Sequence, residues 1–529
     1  MNETYVTLAG SAALAVGIAA FVRQRGWSIA LPLIAAGAVV GALPWGLTAP
    51  PDPEVVLVAI LAPLVFGEAL GSSYIDLRRV SRPVLVLAIG LVIASTFVVG
   101  ALAVTVVAMP LATAFALGAV LSPTDAVAVS AVARRAGLPR RLVAILEGES
   151  LVNDGTGLTA LKVALVAAAA GSVTLVEVTG IFVVAVVAGV AVGGIGGWLL
   201  AWVLRRSTDL VATNALVLVA PFLLYVLAEE VNGSGILAVV VAALVIAHSQ
   251  NSDPGHSGRV QSATVWKQIT FILQALAFFL VGLELFDVLG SLDDEAHGHV
   301  AILVAVVMLA LIGTRVVFVF GMLGAARATR QGAAKRAYLR GAAIVAWAGA
   351  RGPVSGLAAF SIPITFENGE KVPYRDLILA TTLCVIVLTL LLSLTLPALA
   401  RLLKIEKDDD SDILRRVDVM LARAALDRLA DVEAEADAAG RPLSTEVAER
   451  LRSDAERRMV VTADPQSATQ TQEIEVQQMF SAAQAMVRAE QEELLRLRDE
   501  EGLPDAIVRP MLRELDLRIQ ALRAKGSSS

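Results

Sequence analysis

Long apolar runs separated by short polar stretches fill the first 403 residues of the chain. A helix needs about 20 apolar residues to cross the hydrocarbon core of a bilayer. Runs of that length, some interrupted by Pro or Gly, recur thirteen times, and we predict a membrane-spanning helix for each. The spans lie near residues 5–22, 28–47, 54–72, 83–108, 110–133, 142–169, 175–204, 211–229, 234–250, 265–286, 299–325, 338–363 and 376–401.

The polar stretches between the spans alternate in basic content. Those that follow odd-numbered spans carry the cations, as Arg78, Arg79 and Arg82 do after the third span, whereas the others carry few cations and several acids. The positive-inside rule then places the N-terminus outside and the C-terminus in the cytoplasm. We expect a multi-pass protein of the plasma membrane, in contact with lipid. The first run has Glu3 before it and Arg23 after it, the opposite polarity to a cleaved signal peptide.

Composition separates a second region from the spans. The 529 residues are 56% hydrophobic and 17% charged with a mean hydropathy of +0.72, which excludes an ordinary soluble enzyme. Residues 404–529 carry 46 of the 92 charged side chains, and we predict that they form a cytosolic helical domain after the transmembrane domain of residues 1–403. The net charge of −6 gives no basic character for nucleic acid binding. Cys384 is the one cysteine, and the four histidines fall at segment ends or in loops, so we expect no cofactor and no cysteine- or histidine-ligated metal.

Two spans carry a break in mid-membrane. Ser122-Pro123-Thr124-Asp125 interrupts the fifth and Arg351-Gly352-Pro353 the twelfth, and a proline removes a backbone donor at each place. A simple kink is the plain interpretation. The breaks lie seven spans apart, however, so the two helices run in opposite directions, and each break includes an ionisable residue. Paired broken helices indicate the binding site of a transporter with inverted repeats, here spans 1–6 and 8–13.

Ionisable residues within the spans are candidates for a functional site, because a charge at the bilayer centre costs about 3 kcal/mol on insertion scales. They are Glu68, Asp125, Glu147, Glu149, Asp154, Glu284, Arg315 and Arg351. Lys162 lies in the outer part of span 6, where we expect it to extend toward the interface. On that span, helical spacing stacks Ser150 over Asp154 and Glu149 over Asn153. Carboxylate, hydroxyl and carbonyl oxygens are the ligands that a small hard cation prefers.

Four motifs resemble those of the monovalent cation:proton antiporter-1 family, the Na+/H+ exchangers of NhaP type. They are SPTDAVAVS (122–130), GESLVNDG (148–155), AWAGARGPVSGLAAF (346–360) and LTLPALARLL (394–403). The resemblance covers residues 1–403, and Asn153-Asp154 is its most specific element. It implies an all-helical fold of thirteen spans, a homodimer whose six-helix core bundles move relative to a rigid dimer domain, and electroneutral exchange of a monovalent cation for a proton.

The resemblance also assigns roles to residues. Asp154 becomes the carrier that cation and proton share. The supporting positions are Ser150, Asp125 and the Thr124 carbonyl as Na+ ligands, Asn153 as the residue that steadies both unwound stretches, and Glu149 paired with Arg351 as a structural ion pair. Glu68 departs from the pattern, because relatives have a glutamate directly after a Pro-Leu-Leu-Phe stretch and here Gly67 intervenes. Glu68 is either a cation ligand or a polar residue that faces the bundle.

Several functions remain open at this stage. Exchange of Na+ or Li+ for H+ follows from one carboxylate that holds either ion, and K+/H+ exchange by the same architecture is the alternative within transporters. A cation channel would not need two inverted broken helices, and Ser150 has no intramembrane His as the base of a hydrolase, so we expect no enzyme. The tail either aids folding or dimerisation, or it regulates transport.

Overall fold

The computed structural model of the chain describes residues 2–43, 55–125, 137–171, 174–207, 209–252, 259–326, 332–366, 369–405, 411–438, 444–453, 486–494, 496, 500, 511–512, 515 and 517–519. Its secondary structure is helical, with one isolated bridge between Thr365 and Lys371 as the β-structure within these ranges. The first nine α-helices of the described residues are α1 (Asn2–Gln24), α2 (Ala30–Gly41), α3 (Ala62–Gly71), α4 (Tyr74–Arg79), α5 (Ser81–Leu85), α6 (Val92–Val107), α7 (Leu111–Leu121), α8 (Arg140–Ala170) and α9 (Leu175–Arg206). Two π-helical segments, Val56–Leu61 and Val86–Leu91, directly precede α3 and α6.

The second half of the chain continues in the same way. Its helices are α10 (Leu210–Glu230), α11 (Gly235–Ser252), α12 (Arg259–Gly290), α13 (Asp294–Ala326), α14 (Gly332–Trp347), α15 (Pro353–Phe360), α16 (Arg375–Ser393), α17 (Leu396–Leu402) and α18 (Ser411–Ala438). Polar side chains start several of them, as in the capping box in which Thr174 and Glu177 bind each other's backbone N–H at the start of α9. Asp209 accepts hydrogen bonds from the first N–H groups of α10 in the same manner.

Seven helical stretches of the described chain are long and apolar enough to cross a membrane. They are Ser81–Val107, Arg140–Ala170, Val176–Arg206, Val211–Glu230, Thr264–Gly290, Asp294–Met322 and Arg375–Leu402. Shorter apolar helices accompany them at Gly10–Gln24, Ala30–Gly41, Val56–Gly71, Leu111–Leu121 and Gly235–Ser249. Large apolar side chains on α9, among them Ile195 and Trp198, are exposed, as expected for a helix that faces lipid.

Helical structure stops at both of the predicted breaks. Helix α7 ends at Leu121, and residues 122–125 have no helical structure; the rest of the fifth predicted span, residues 126–133, lies outside the described residues. In the twelfth predicted span, α14 ends at Trp347 and α15 begins at Pro353. The five residues between them are not helical, and Gly352 is extended. Pro353, at the start of α15, has no N–H with which to continue the helix from α14.

The chain divides into two compact units, residues 1–408 and 409–529. The first contains α1–α17 and the buried apolar core. The second contains α18, whose charged surface includes an ion pair between Arg428 and Glu435 at 2.8 Å.

Candidate functional site

The two helix breaks cross each other inside the first unit. The backbone N–H of Asp125 donates to the carbonyl oxygen of Ala350 at 2.8 Å, which joins the two unwound stretches directly. The backbone N–H of Arg351 donates to the Thr389 hydroxyl of α16 at 3.0 Å. Buried backbone groups left open by the breaks therefore find partners on neighbouring elements, as an apolar interior requires.

The Asp125 carboxyl group lies against the start of α15. Gly352 directly precedes Pro353, the first residue of that helix, and a Cβ atom at position 352 would collide with the Asp125 carboxyl group. Glycine is therefore needed here for close approach. The N-terminus of a helix carries partial positive charge from its unpaired N–H groups. This arrangement places a carboxylate where the dipole of α15 stabilises it.

Helix α8 supplies the other polar residues predicted for the site. Glu149, Ser150, Asn153 and Asp154 are all buried on this helix, and Asp154 is 2% exposed. The Asp154 carboxylate interacts electrostatically with those of Glu68 and Asp125, and Glu68 also interacts with Asp125. The three carboxylates, which come from three separate elements, thus lie within electrostatic range of one another, and a bound cation would offset their mutual repulsion.

A chain of hydrogen bonds links α8 to the first unwound stretch. The Asn153 side-chain amide donates to the Thr124 hydroxyl at 2.9 Å, and that hydroxyl donates to Glu149 Oε1 at 3.3 Å. All three side chains are buried. Asn153 therefore binds the unwound stretch that contains Asp125. The resemblance implied that it steadies both unwound stretches, and that role stays a prediction.

Glu149 forms its ion pair with Arg315 of α13. The pair is bidentate, with Nη1–Oε1 and Nη2–Oε2 distances of 2.5 and 2.9 Å, and both side chains are almost fully buried. The predicted pairing of Glu149 with Arg351 is wrong in its cation. Both arginines lie within the spans, and only the packing of α13 against the breaks determines which guanidinium reaches Glu149.

Each arginine also covers the carbonyl end of a broken helix. Arg351 Nε donates to the Leu121 carbonyl, the last of α7, at 2.9 Å, and its Nη1 donates to the Gly349 carbonyl. Arg315 Nε donates to the Val345 carbonyl in the last turn of α14 at 2.9 Å. The last carbonyls of a helix have no intrahelical donors and carry partial negative charge. A guanidinium at each break donates hydrogen bonds to these carbonyls and also offsets their partial negative charge.

Glu68 is held from the side of α12. The Gln274 amide donates to Glu68 Oε1 at 3.1 Å. The Glu68 carboxylate also interacts electrostatically with Asp125. Both contacts fit either alternative for Glu68, and its role as a cation ligand stays a prediction.

The donor set suits a small hard cation. Carboxylates at Asp154 and Asp125, the Ser150 hydroxyl and the Thr124 carbonyl are oxygen ligands of the kind that Na+ would share with Mg2+ and Ca2+. Within the described ranges, no three His, Cys, Asp or Glu side chains converge closely enough to hold a metal ion by themselves. A cation here would need hydroxyl and carbonyl oxygens as well.

Comparison with known proteins decides the family. The family model described as "Sodium/hydrogen exchanger, transmembrane" matches residues 10–401, which include every site residue named above. The chain belongs to the sodium/hydrogen exchanger family. The resemblance of its four motifs to Na+/H+ exchangers of NhaP type is thereby confirmed.

Individual relatives agree with this assignment. A sodium, potassium, lithium and rubidium/H+ antiporter of Bacillus pumilus is 35% identical over 70% of this chain, which spans only 58% of that relative's length. An uncharacterized Na+/H+ exchanger of Mycobacterium tuberculosis is 30% identical over 92% of this chain and 90% of its own length. The sodium proton antiporter MjNhaP1 of Methanocaldococcus jannaschii shares the fold, with a TM-score of 0.64 over 76% of this chain and 99% of that one at 18% identity.

Three contacts in this exchanger-family structure were not predicted from the sequence. Arg315 was recognised as an intramembrane cation but not as the partner of Glu149. Gln274 was not recognised at all, although an amide within the apolar run TFILQALAFFLVG is a detectable signal. Lys162 binds Glu229 near the end of α10 at 2.6 Å and the Gly233 carbonyl at 3.1 Å, two partners that the sequence did not predict.

Proposed function

We propose that this protein exchanges Na+ or Li+ for H+ across the plasma membrane, with Asp154 as the carrier that both ions share. The observation that carries the proposal is the burial of Asp154 on α8, beside the crossing of two broken helices and within electrostatic range of Asp125 and Glu68. Family membership supports the reaction class. Thr124 and Ser150 would complete the oxygen ligands of the cation.

Obligatory exchange follows from competition for one carboxylate. Asp154 can hold a proton or a cation but not both, and a protein that reorients only when the carboxylate is occupied must return with the other ion. Each cycle would then move one cation against one proton and transfer no net charge. Asn153 supports this 1:1 stoichiometry, because the neighbouring position offers an amide and not a second acid.

The architecture proposed for this reaction has thirteen spans with the N-terminus outside and the C-terminus in the cytoplasm. The two halves would be inverted repeats that each contribute one broken helix, and alternating access would move six-helix core bundles against a dimer domain in a homodimer. The seven long and five shorter apolar helices, with the broken pair α14 and α15, support this count. Residues 404–529 would form the cytosolic domain.

K+/H+ exchange is the second candidate. The Bacillus pumilus relative is named for sodium, potassium, lithium and rubidium, which favours a broad choice of cation in this chain as well. The residues at the site supply carboxylates and neutral oxygens but leave the radius of the bound ion open. Direct comparison of the four cations would separate the two candidates.

The test is exchange by purified full-length protein in proteoliposomes that carry an acid interior and a pH-sensitive dye. We expect Na+ or Li+ added outside to dissipate the pH gradient, and Asp154→Asn to abolish this response while elution as a folded protein is unchanged. Asp287→Asn, an exposed carboxylate at the end of α12, is the matched control and should exchange normally. Cation-driven dissipation by Asp154→Asn at the wild-type rate would refute the carrier assignment.

A second measurement tests the stoichiometry. Imposing a membrane voltage of either sign should leave the initial rate of wild-type exchange unchanged, because an electroneutral cycle moves no net charge. A rate that rises with one sign of voltage and falls with the other would contradict 1:1 exchange. The same vesicles tested with K+ and Rb+ report the choice of cation.

A further inference from the structure

Three consecutive residues of α3, Phe66, Gly67 and Glu68, contact one face of α12. Trp266, Thr270 and Gln274 are spaced four residues apart and therefore lie along one side of that helix. The Phe66 ring packs on Trp266 with centroids 4.9 Å apart. A Cβ atom at Gly67 would collide with the Thr270 hydroxyl, and Glu68 accepts the hydrogen bond from Gln274.

Gly67 permits the packing that brings Glu68 to Gln274. The missing side chain lets the backbone of α3 approach Thr270 closely, and the next residue then falls opposite Gln274, one turn further along α12. Close packing at position 67 and the amide at position 274 together determine where the Glu68 carboxylate lies.

The Gln274 amide has a specific partner in an apolar environment. Its side chain is 8% exposed, and burying an amide without a hydrogen bond is unfavourable. Its Nε2 donates to the Glu68 carboxylate, whose nearest acidic neighbour in electrostatic terms is Asp125. Repulsion between like charges would turn an unrestrained Glu68 away from Asp125. The hydrogen bond from Gln274 Nε2 restrains the carboxylate against this repulsion.

We propose that Gln274 is a positioning residue that holds the Glu68 carboxylate at the cation site of Asp125 and Asp154, so that α12 sets the cation affinity through a side chain on α3. This inference rests on the proposed exchange function. Gln274 itself touches neither the carrier nor the cation. Its effect reaches the cation through the number of carboxylates that face it, which alters binding more than turnover.

The test is the cation dependence of exchange by Gln274→Met, which keeps the length of the side chain and removes the donor. Hydrogen bonds to charged groups contribute enough that we expect the apparent KM for Na+ and Li+ to rise about tenfold. Vmax should stay within about twofold of wild type, since turnover depends on other groups. Gln268→Leu, an exposed glutamine on the same helix, is the control and should leave both parameters unchanged.

A double variant separates positioning from general structure. In a Glu68→Gln background, Gln274→Met should add no further rise in KM, because no carboxylate remains to be held. An equal rise in both backgrounds, or a fall in Vmax with unchanged KM, would overturn the proposal. Should Gln274→Met fail to fold, Gln274→Asn serves in its place, since its amide is one methylene too short to reach Glu68.

The outcomes remain distinct from those for the proposed function. A wild-type protein without cation-driven proton movement, or an active Asp154→Asn variant, would refute the exchange function. Normal wild-type exchange with a Gln274→Met KM equal to that of wild type would refute only the positioning role.

Discussion

Arg315 and Glu149 form a bidentate ion pair in the interior of the bundle, with side chains 2% and 1% exposed. Arg315 also donates to the carbonyls of Val345 and Ala348 at the end of α14, and Glu149 accepts from Thr124 on the other unwound stretch. One ion pair thus connects both breaks to α8. Removing one partner of such a pair leaves an uncompensated buried charge, which is far more costly than removing both.

A double-mutant cycle tests this pairing. We expect Glu149→Gln and Arg315→Met each to lower the free energy of unfolding by about 3–5 kcal/mol, and the double variant to lose much less than the sum of the two. Thermal unfolding of the purified protein in detergent measures each change. The cycle of Glu149→Gln with Arg351→Met should show weaker coupling, because Arg351 binds carbonyl oxygens. Stronger coupling to Arg351 than to Arg315 would contradict the geometry.

Thr124→Val tests the hydrogen-bond chain beside the carrier. The valine keeps the shape of threonine but leaves the buried Asn153 amide without its acceptor, and such a loss costs about 1–3 kcal/mol. We expect lower thermal stability in detergent. Thr105→Val is the control, since that exposed hydroxyl bonds only to carbonyls of its own helix, and it should change stability by less than about 0.5 kcal/mol. Equal effects of the two variants on stability would contradict a stabilising role for the hydrogen bonds that join Asn153, Thr124 and Glu149.

Gly352→Ala tests the approach of Asp125 to the start of α15. Its added methyl group would meet the Asp125 carboxyl group, so either the carboxylate or the unwound stretch must move. We expect exchange in proteoliposomes to fall at least tenfold, because a misplacement of about 1 Å at a reacting group can cost that much. Gly313→Ala on α13, where a Cβ atom has open space, should retain full exchange. Normal activity of Gly352→Ala would mean that Asp125 need not remain at this position.

Lys162 and Glu229 connect the C-terminal half of α8 to α10. The pair is about one third exposed, with side chains 32% and 35% accessible, and Glu229 also accepts from the N–H of Gly235 at 3.0 Å. We expect Lys162→Met to lower stability by about 1 kcal/mol at low salt, since partly exposed pairs contribute modestly. The difference from wild type in thermal unfolding should shrink at high salt. A deficit that grows with salt would argue against an electrostatic contribution.

The local features of the fold were predictable from the sequence. Apolar runs located the seven long helices, since the length of each run reports directly on the thickness of a bilayer. The breaks at Pro123 and Pro353 followed from a property of the residue itself, because proline lacks the donor that the helix needs. Helical spacing placed Ser150 over Asp154 and Glu149 over Asn153 on α8, because residues four apart lie on the same face of a helix.

Relations between distant residues were harder to predict. Glu149 and Arg315 are separated by 166 positions, and nothing near either residue favours that arginine over Arg351. The bond between Gln274 and Glu68 spans 206 positions and depends on the close packing allowed by Gly67. Lys162 and Glu229 are 67 positions apart, and they meet only because α8 and α10 are neighbours in the fold.

The sequence by itself determined the long apolar helices, the places where helical structure stops and the family, because hydropathy, proline geometry and helical periodicity act over a few residues. Only the tertiary structure decided which buried charge meets which partner. A guanidinium or carboxylate inside the bundle must be compensated, and several groups in the chain could meet that requirement. Packing selected Arg315 for Glu149, the helix-end carbonyls for Arg351 and Gln274 for Glu68.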